Sequence, residues 1–440
     1  MAETRLLDRL DAALRAQVLT RPAGRVTHVW PTHLEADGPM LPLGALCEID
    51  TGSGEVLDAE VVRVRTGCVT LMPLGTLQGV VPGALVRAQA GRGDVAVGAA
   101  LRGRAVDGRG VAVDGGPPVL ASERWPLAGD AGPVLSRLTP RQPLETGVRA
   151  IDTLLTLGVG QRVGIFAGSG VGKTTLLSDL IVQTAADACV LCLVGERGRE
   201  AQALWEERLD DEARRRCTLV VSTSDESAVL RVRAVAVALA QAEWLRAQGQ
   251  HVLFVLDSAT RYAMALREVG LAAGEPATVR AYTPSVFAAL PRLVERCGAR
   301  RNGGAITALM TVLTESDDAD DPLAEVLKAV LDGHLVLSRT LAERGHFPAL
   351  HVPRSISRVF RDVTERGQQA LAADAIAQLS LVESSQTLID AGFYAAGANP
   401  ALDRALKLRP ALQAFVCQPV GEPEARDSAL ERLARLLEHH

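Results

Sequence analysis

The chain has 440 residues, 48% hydrophobic and 22% charged, which is enough apolar material for a large core and argues against disorder. Forty-seven Lys and Arg against 52 Asp and Glu leave a net charge of −5, and aromatics are only 3%. Both values disfavour a generally basic nucleic-acid binder or a surface that stacks unpaired bases.

In chain order, residues 1–20 read as a short helix with Leu6, Leu7, Leu10, Ala13 and Leu14 on one face, suited either to its own domain or to a partner. The charges in Met1–Leu10 stand where a signal peptide would be apolar, and no apolar run approaches the length of a membrane span. Between Gly24 and Ala88, short apolar runs alternate with turn residues. Arg25–Trp30, Ala45–Ile49, Val56–Arg65, Cys68–Met72 and Ala84–Ala88 read as strands of a small β-barrel. The Gly- and Pro-rich residues 91–145 read as a connecting segment.

From Gly147 the pattern is α/β. Uniformly apolar runs (Val163–Ala167, Cys189–Val194, Leu219–Val221, Val252–Leu256, Ala305–Leu313) alternate with helical stretches such as Thr174–Thr184 and Ala228–Arg246. Such strands imply a parallel sheet covered on both faces. After Val363 only helical patterns remain. The expected domains are therefore a helix at 1–20, a barrel at 21–92, an α/β domain at 93–362 and a helical domain at 363–438. Residues 437–440, Leu-Glu-His-His, are set aside as a tag remnant. The seven cysteines form no framework, which points to a reducing, cytoplasmic setting. Cys189 and Cys192 have redox or zinc spacing, but on a strand their side chains face opposite ways.

Three motifs carry chemistry. Ala167-Gly168-Ser169-Gly170-Val171-Gly172-Lys173-Thr174 has the form of a phosphate-binding loop, with Ala at the first glycine, between a strand and a helix. Its small residues let backbone N–H groups curl around phosphate oxygens, and the helix adds its positive end. Lys173 would reach the β- and γ-phosphates, and Thr174 would hold Mg²⁺. His251–Asp257 is an apolar strand ending in a carboxylate, the form of the second Mg²⁺-holding motif of such sites. Gly195-Glu196-Arg197-Gly198-Arg199-Glu200 follows a third strand. A carboxylate at a strand's carboxyl end can act on an attacking water, although a charged exposed turn reads equally well.

The run Gly195–Glu200 resembles the matching segment of rotary-type hexameric ATPases. Asp257–Pro276 and Pro284–Arg296 are similar to one branch of them, the type III secretion ATPases that drive export in injectisomes and flagella. Leu331–Arg339 and Pro348–Val359 agree. The resemblance runs from barrel to tail and is most specific over 143–360. It implies a RecA-like P-loop ATPase core with a small N-terminal β-barrel and a C-terminal helical domain. It further implies a Mg-ATP-hydrolysing homohexamer that releases chaperones and unfolds substrates at the export gate. Partners would be stator and central-stalk proteins and chaperone–substrate complexes, with no nucleic acid, at the inner face of the cytoplasmic membrane. By the same resemblance Gly168 to Thr175 cradle the nucleotide, Lys173 and Thr174 take phosphate and Mg²⁺, and Asp257 takes Mg²⁺. Glu196 is the general base, Arg197 a γ-phosphate contact, Arg358 an arginine finger offered to a neighbouring subunit, and Phe347 the platform for adenine.

Two departures stand out: Thr283 precedes Pro284 where the family has Pro, and Leu323–Val330 differs from the usual form. The acidic run Glu315–Pro322 reads as a solvated loop rather than a metal site. His334, His346 and His351 lack ligand spacing and read as structural. A non-catalytic ring subunit is disfavoured by Glu196, a nucleic-acid translocase by charge and composition, and a rotary synthase subunit by the Pro284–Arg296 block.

Overall fold

A computed structural model describes residues 21–52, 54–89, 93–121, 123–129, 132–301, 303–314 and 321–438. The helix expected over 1–20, most of the acidic run and the final two histidines lie outside the described residues.

Strands β1 (Ala23–Val29), β2 (Leu34–Ala36), β3 (Leu46–Asp50), β4 (Val56–Arg65), β5 (Cys68–Pro73) and β6 (Leu85–Ala88) close into a barrel in the order β1-β2-β5-β4-β3-β6. Alternation sends one side of each strand inward, so that Val26, Leu34, Ile49, Val61, Leu71 and Val86 fill the interior. Met72 and Leu74 instead pack outward on Val229, Leu230 and Ala265, which seats the barrel on the next domain.

Residues 91–145 prove to be more than a connector. Strand β7 (Asp94–Val97) pairs with β9 (Glu123–Pro126), and β8 (Ala105–Val106) joins the edge of the main sheet beside Leu219 and Val220. Val95, Val97 and Leu101 are buried there. The pieces are too short, and too broken by Gly and Pro, for any period to reveal them.

The main sheet has ten strands along the path β18-β17-β11-β16-β14-β12-β13-β8, with β10 (Arg137–Leu138) and β15 (Gly298–Arg300) off it. Its other members are β11 (Arg162–Ala167), β12 (Ala188–Glu196), β13 (Cys217–Thr223), β14 (His251–Asp257), β16 (Ala305–Leu313), β17 (Gly333–Leu337) and β18 (Ile356–Ser357). The five central strands are parallel and wholly or almost wholly buried, which explains their unbroken hydrophobicity.

The helices used below are α1 (Arg149–Leu154), α2 (Lys173–Gln183), α3 (Ala228–Ala247), α4 (Ala259–Ala272), α5 (Pro284–Glu295), α6 (Pro322–Val330), α7 (Arg339–Glu343), α8 (Arg366–Asp390), α9 (Pro400–Val416) and α10 (Arg426–Glu438). One face of the sheet buries Ile165, Leu191 and Leu253 against α1, α2 and the C-terminal helices; the other buries Val190, Phe254 and Met310 against α3, α4 and α5. Cys189 lies in the first core and Cys192 in the second, as strand alternation requires. Asp321 caps α6 by accepting from the Leu323 N–H. Leu437, which the sequence reading set aside with the tail, is buried on α10 in the first core.

Candidate active site

Four adjacent strands, β11, β16, β14 and β12, bring their carboxyl ends together, and each end contributes a part. β11 runs into the phosphate loop. Gly170 and Gly172 have φ of +77° and +87°, the left-handed region where a side chain is strained, and Gly172 caps α2. A Cβ on Gly172 would also meet the Phe347 ring at 3.3 Å. Val171 turns its side chain into the core, leaving its backbone to the loop, while Ser169 and Gly170 are exposed.

Lys173 opens α2 and extends across the strand ends. Its Nζ lies 2.5 Å from Asp257 Oδ1 and 3.5 Å from Glu196 Oε1. Asp257 ends β14, almost fully buried, and its Oδ1 also accepts from Thr311 Oγ1 at 2.6 Å. Glu196 ends β12; its Oε1 is 3.3 Å from Arg261 Nε, and its Oε2 accepts from Arg261 Nη2 at 3.4 Å. Burial holds the Glu196 carboxyl above the ordinary carboxylate range, opposed by Lys173 and Arg261 and reinforced by Asp257. A buried carboxylate with raised proton affinity, flanked by two cations, is suited to accept a proton from water.

Thr174 and Thr175, half-buried, follow Lys173 on α2, and Thr175 Oγ1 accepts from Arg208 Nη1 at 3.3 Å. Beyond them a cavity of about 320 Å³ is lined by Gly172, Thr175, Leu176, Phe347, Gln418 and Val420, among others. Phe347 is partly exposed in this cavity. The Gln418 N–H donates to the Phe347 carbonyl at 2.9 Å. The Gln418 side chain is itself held, accepting from the Arg149 N–H at 2.8 Å and donating to the Gly147 carbonyl at 2.7 Å.

Two expected residues stand apart from this cluster. Arg197 is largely exposed, and its guanidinium faces Glu200 at 3.8 Å. Arg358 follows the edge strand β18, donating its N–H to the Asp332 carbonyl and its Nη2 to the Lys328 carbonyl at 2.8 Å. Asp332 also holds Arg162, the first residue of β11, so Arg358 lies at the opposite end of the sheet from its own phosphate loop. The six residues of β11 between them span about 20 Å.

Sequence reasoning missed Arg261, Thr311 and Gln418. Arg261 stands four residues after Asp257, in the first turn of α4, close enough in the chain to that strand end to have been considered with it. Thr311 is one small residue in an apolar strand, and Gln418 comes from the far end of the chain; neither left a local signal. Among the described residues no group of three or more His, Cys, Asp and Glu could hold a metal ion.

Two family descriptions match the chain: the ATP synthase alpha/beta family nucleotide-binding domain over residues 147–357, and the T3SS EscN ATPase C-terminal domain over 364–435. The flagellum-specific ATP synthase of Salmonella typhimurium is 43% identical over 438 residues, covering 97% of this chain and 96% of that protein. The type 3 secretion system ATPase of Pseudomonas syringae pv. syringae is 43% identical over 422 residues, covering 94% of each. Among solved structures, the assembled ATPase EscN from the enteropathogenic E. coli type III secretion system superposes with a TM-score of 0.90 at 38% identity. It covers 94% of this chain and 100% of EscN. EscN has also been solved in complex with its central stalk EscO, with a TM-score of 0.86.

Proposed function

The chain belongs to the family of type 3 secretion system ATPases and flagellum-specific ATP synthases and is an ATP hydrolase, and from that premise we propose that it works as a homohexameric ring energising protein export. Its relatives of the secretion and flagellar kinds stand at the same 43% identity, so the reading is export through a type III secretion apparatus, the task common to both. The likeness to assembled EscN supports the ring, and the EscN–EscO complex supports a central-stalk partner. Stator, chaperone–substrate complexes and the export gate complete the proposed partners. Among the described residues no helix is long and apolar enough to cross a membrane; on this reading the ring sits at the cytoplasmic face, peripheral to the gate.

The observation that carries the chemistry is Lys173, held between Asp257 and Glu196 at the ends of neighbouring strands. In the proposed mechanism phosphate oxygens take over Lys173, and backbone N–H groups from Gly168 to Gly172 cradle them. The donors available for Mg²⁺, the Thr174 hydroxyl and the Asp257 carboxylate, are the hard oxygens that ion prefers alongside phosphate and water. Bound there, Mg²⁺ would neutralise charge on the β- and γ-phosphates. Glu196 orients a water on the γ-phosphate and takes its proton as the P–O bond to ADP breaks, giving ADP and phosphate. Phe347 stacks on the base.

Arg358 acts in this scheme on the neighbouring subunit's γ-phosphate, because about 20 Å of sheet separates it from its own loop. Mixing tests this. Arg358→Ala binds ATP and hydrolyses it poorly; Lys173→Ala fails to bind. Mixed, the two inactive variants recover activity, because some interfaces pair an intact loop with an intact arginine. If mixtures shown by sizing to form joint rings recover none, the trans role is wrong.

A further inference from the structure

A second cavity, also about 320 Å³, lies between the α/β and helical domains, enclosed by α7, the segment 346–354, α8 and α9. Its lining includes Leu350, Leu379, Val382 and Leu412. A hollow of this size with an apolar floor is of the kind that holds small ligands.

Its charge is unbalanced. Arg344, Arg354 and Arg409 all line it; Arg354 has a partner, but among the described residues neither the Arg344 nor the Arg409 guanidinium has an ion pair or hydrogen bond. The carboxylate in the wall, Glu383, already accepts from His351 Nε2 at 2.9 Å. His346, whose proton affinity burial lowers, offers no negative charge to answer the arginines. Two unpaired arginines beside an apolar hollow lack an anion, and guanidinium forks match carboxylate and phosphate oxygens.

The cavity also shares a wall with the base pocket. Residues 346–350 and 413–420 run between the two: His346, Leu350, Gln413 and Val416 face this one, while Phe347, Pro348, Gln418 and Pro419 face the other. The hydrogen bond from the Gln418 N–H to the Phe347 carbonyl ties the two halves of that wall together. An occupant that shifts the segment 346–350 displaces Phe347 within it, and the Gln418 hydrogen bond offers a route from 413–420.

We propose that this interdomain cavity binds a small amphipathic anion, a carboxylate or phosphate on an apolar body, and that its occupancy changes the nucleotide affinity of the neighbouring pocket. Decanoate and decyl phosphate are the probes, titrated into the full chain by calorimetry, with decylamine as the control that keeps the apolar body and reverses the charge. At least one anion binds at one site per chain, and decylamine binds about tenfold or more weakly. Arg344→Gln with Arg409→Gln, on guanidinium groups with no hydrogen bond or ion pair to lose among the described residues, keeps the thermal midpoint and weakens the anion about tenfold or more. Val382→Trp, which fills the floor, removes binding. Saturating anion shifts the affinity for a fluorescent ATP analogue by about fivefold or more, and the analogue shifts the anion's affinity by the same factor. Calorimetry reads binding without turnover, so this arm stands apart from the proposed function. Binding of neither anion, equal binding of decylamine, indifference to the arginine pair, or an unchanged nucleotide affinity each overturns the proposal.

Discussion

Replacing Glu196 with Gln keeps the shape of the side chain and removes one charge from a balanced set. Lys173 and Arg261 stand against Asp257 and Glu196, two cations to two carboxylates. The variant leaves Lys173 on Asp257 and turns the cluster net positive where phosphates are proposed to sit, so nucleotide binding is kept or strengthened. What disappears is the proton acceptor. General-base catalysis contributes ~10²–10⁴-fold, equivalent to about 2.7–5.5 kcal/mol of barrier at 1.36 kcal/mol per decade. Phosphate release at saturating ATP should fall by that factor, while binding of a fluorescent ATP analogue holds. The pH profile adds a second reading. Burial holds the Glu196 carboxyl above its ordinary range, and only its deprotonated form is a base, so wild-type turnover declines as pH falls through that raised value. The variant's residual rate lacks this limb. Turnover within about tenfold of wild type would refute the assignment, and loss of nucleotide binding would mean that Glu196 holds the site together rather than acting on water.

Phe347→Ala should raise KM for ATP about tenfold with little change in kcat, since stacking on an aromatic contributes ~1–3 kcal/mol per base; a drop in kcat at unchanged KM would remove the base-platform role. Glu60 offers a stability test away from the site. It is paired with Arg233 at 3.6 Å where the barrel meets α3, and burial pushes its carboxyl up to about 7. Between its unfolded value of 4.5 and about 7 the folded chain holds a proton that the unfolded chain has released. Stability therefore falls as pH rises through that window, by at most about 3.5 kcal/mol. Glu60→Gln should flatten that slope in melts followed between about pH 5 and 8, and a slope identical to wild type would contradict it.

The parts legible in the sequence share a physical cause. The central strands are buried on both faces and so read as apolar runs, and the phosphate loop is legible because its turn tolerates only small residues at fixed places. Asp257 and Glu196 are conspicuous as carboxylates ending such runs. What escaped depends on tertiary placement. β8 is two residues long and exists only because Leu219 and Val220 offer it an edge. Gln418 matters because the turn after α9 comes back beside Phe347. Arg197 marks the opposite case: a residue conspicuous in its motif sits outside the cluster, facing Glu200.

On the proposed mechanism, the charge balance predicts that one chain alone is a poor catalyst. Before nucleotide arrives the cluster is neutral, with each cation committed to a carboxylate. Mg-ATP brings net negative charge, and more gathers on the γ-phosphate oxygens as the bond loosens. Lys173 can answer part of it by leaving Asp257. Arg261 cannot leave Glu196 without raising the proton affinity of the base still further, because its charge is one of those holding that affinity down. Arg197 is turned to solvent, and the chain's own Arg358 is a strand's length away. Arg208 beside Thr175 is a further cation at the rim, and in the proposed mechanism the one that meets the γ-phosphate charge is Arg358 of a neighbouring subunit, on a sheet edge with its guanidinium anchored through one nitrogen to the Lys328 carbonyl. On that proposal the site stays quiet in a free subunit and gains its transition-state charge on assembly, so hydrolysis per chain should rise with protein concentration as rings form, and a rate per chain that does not change with concentration would contradict it.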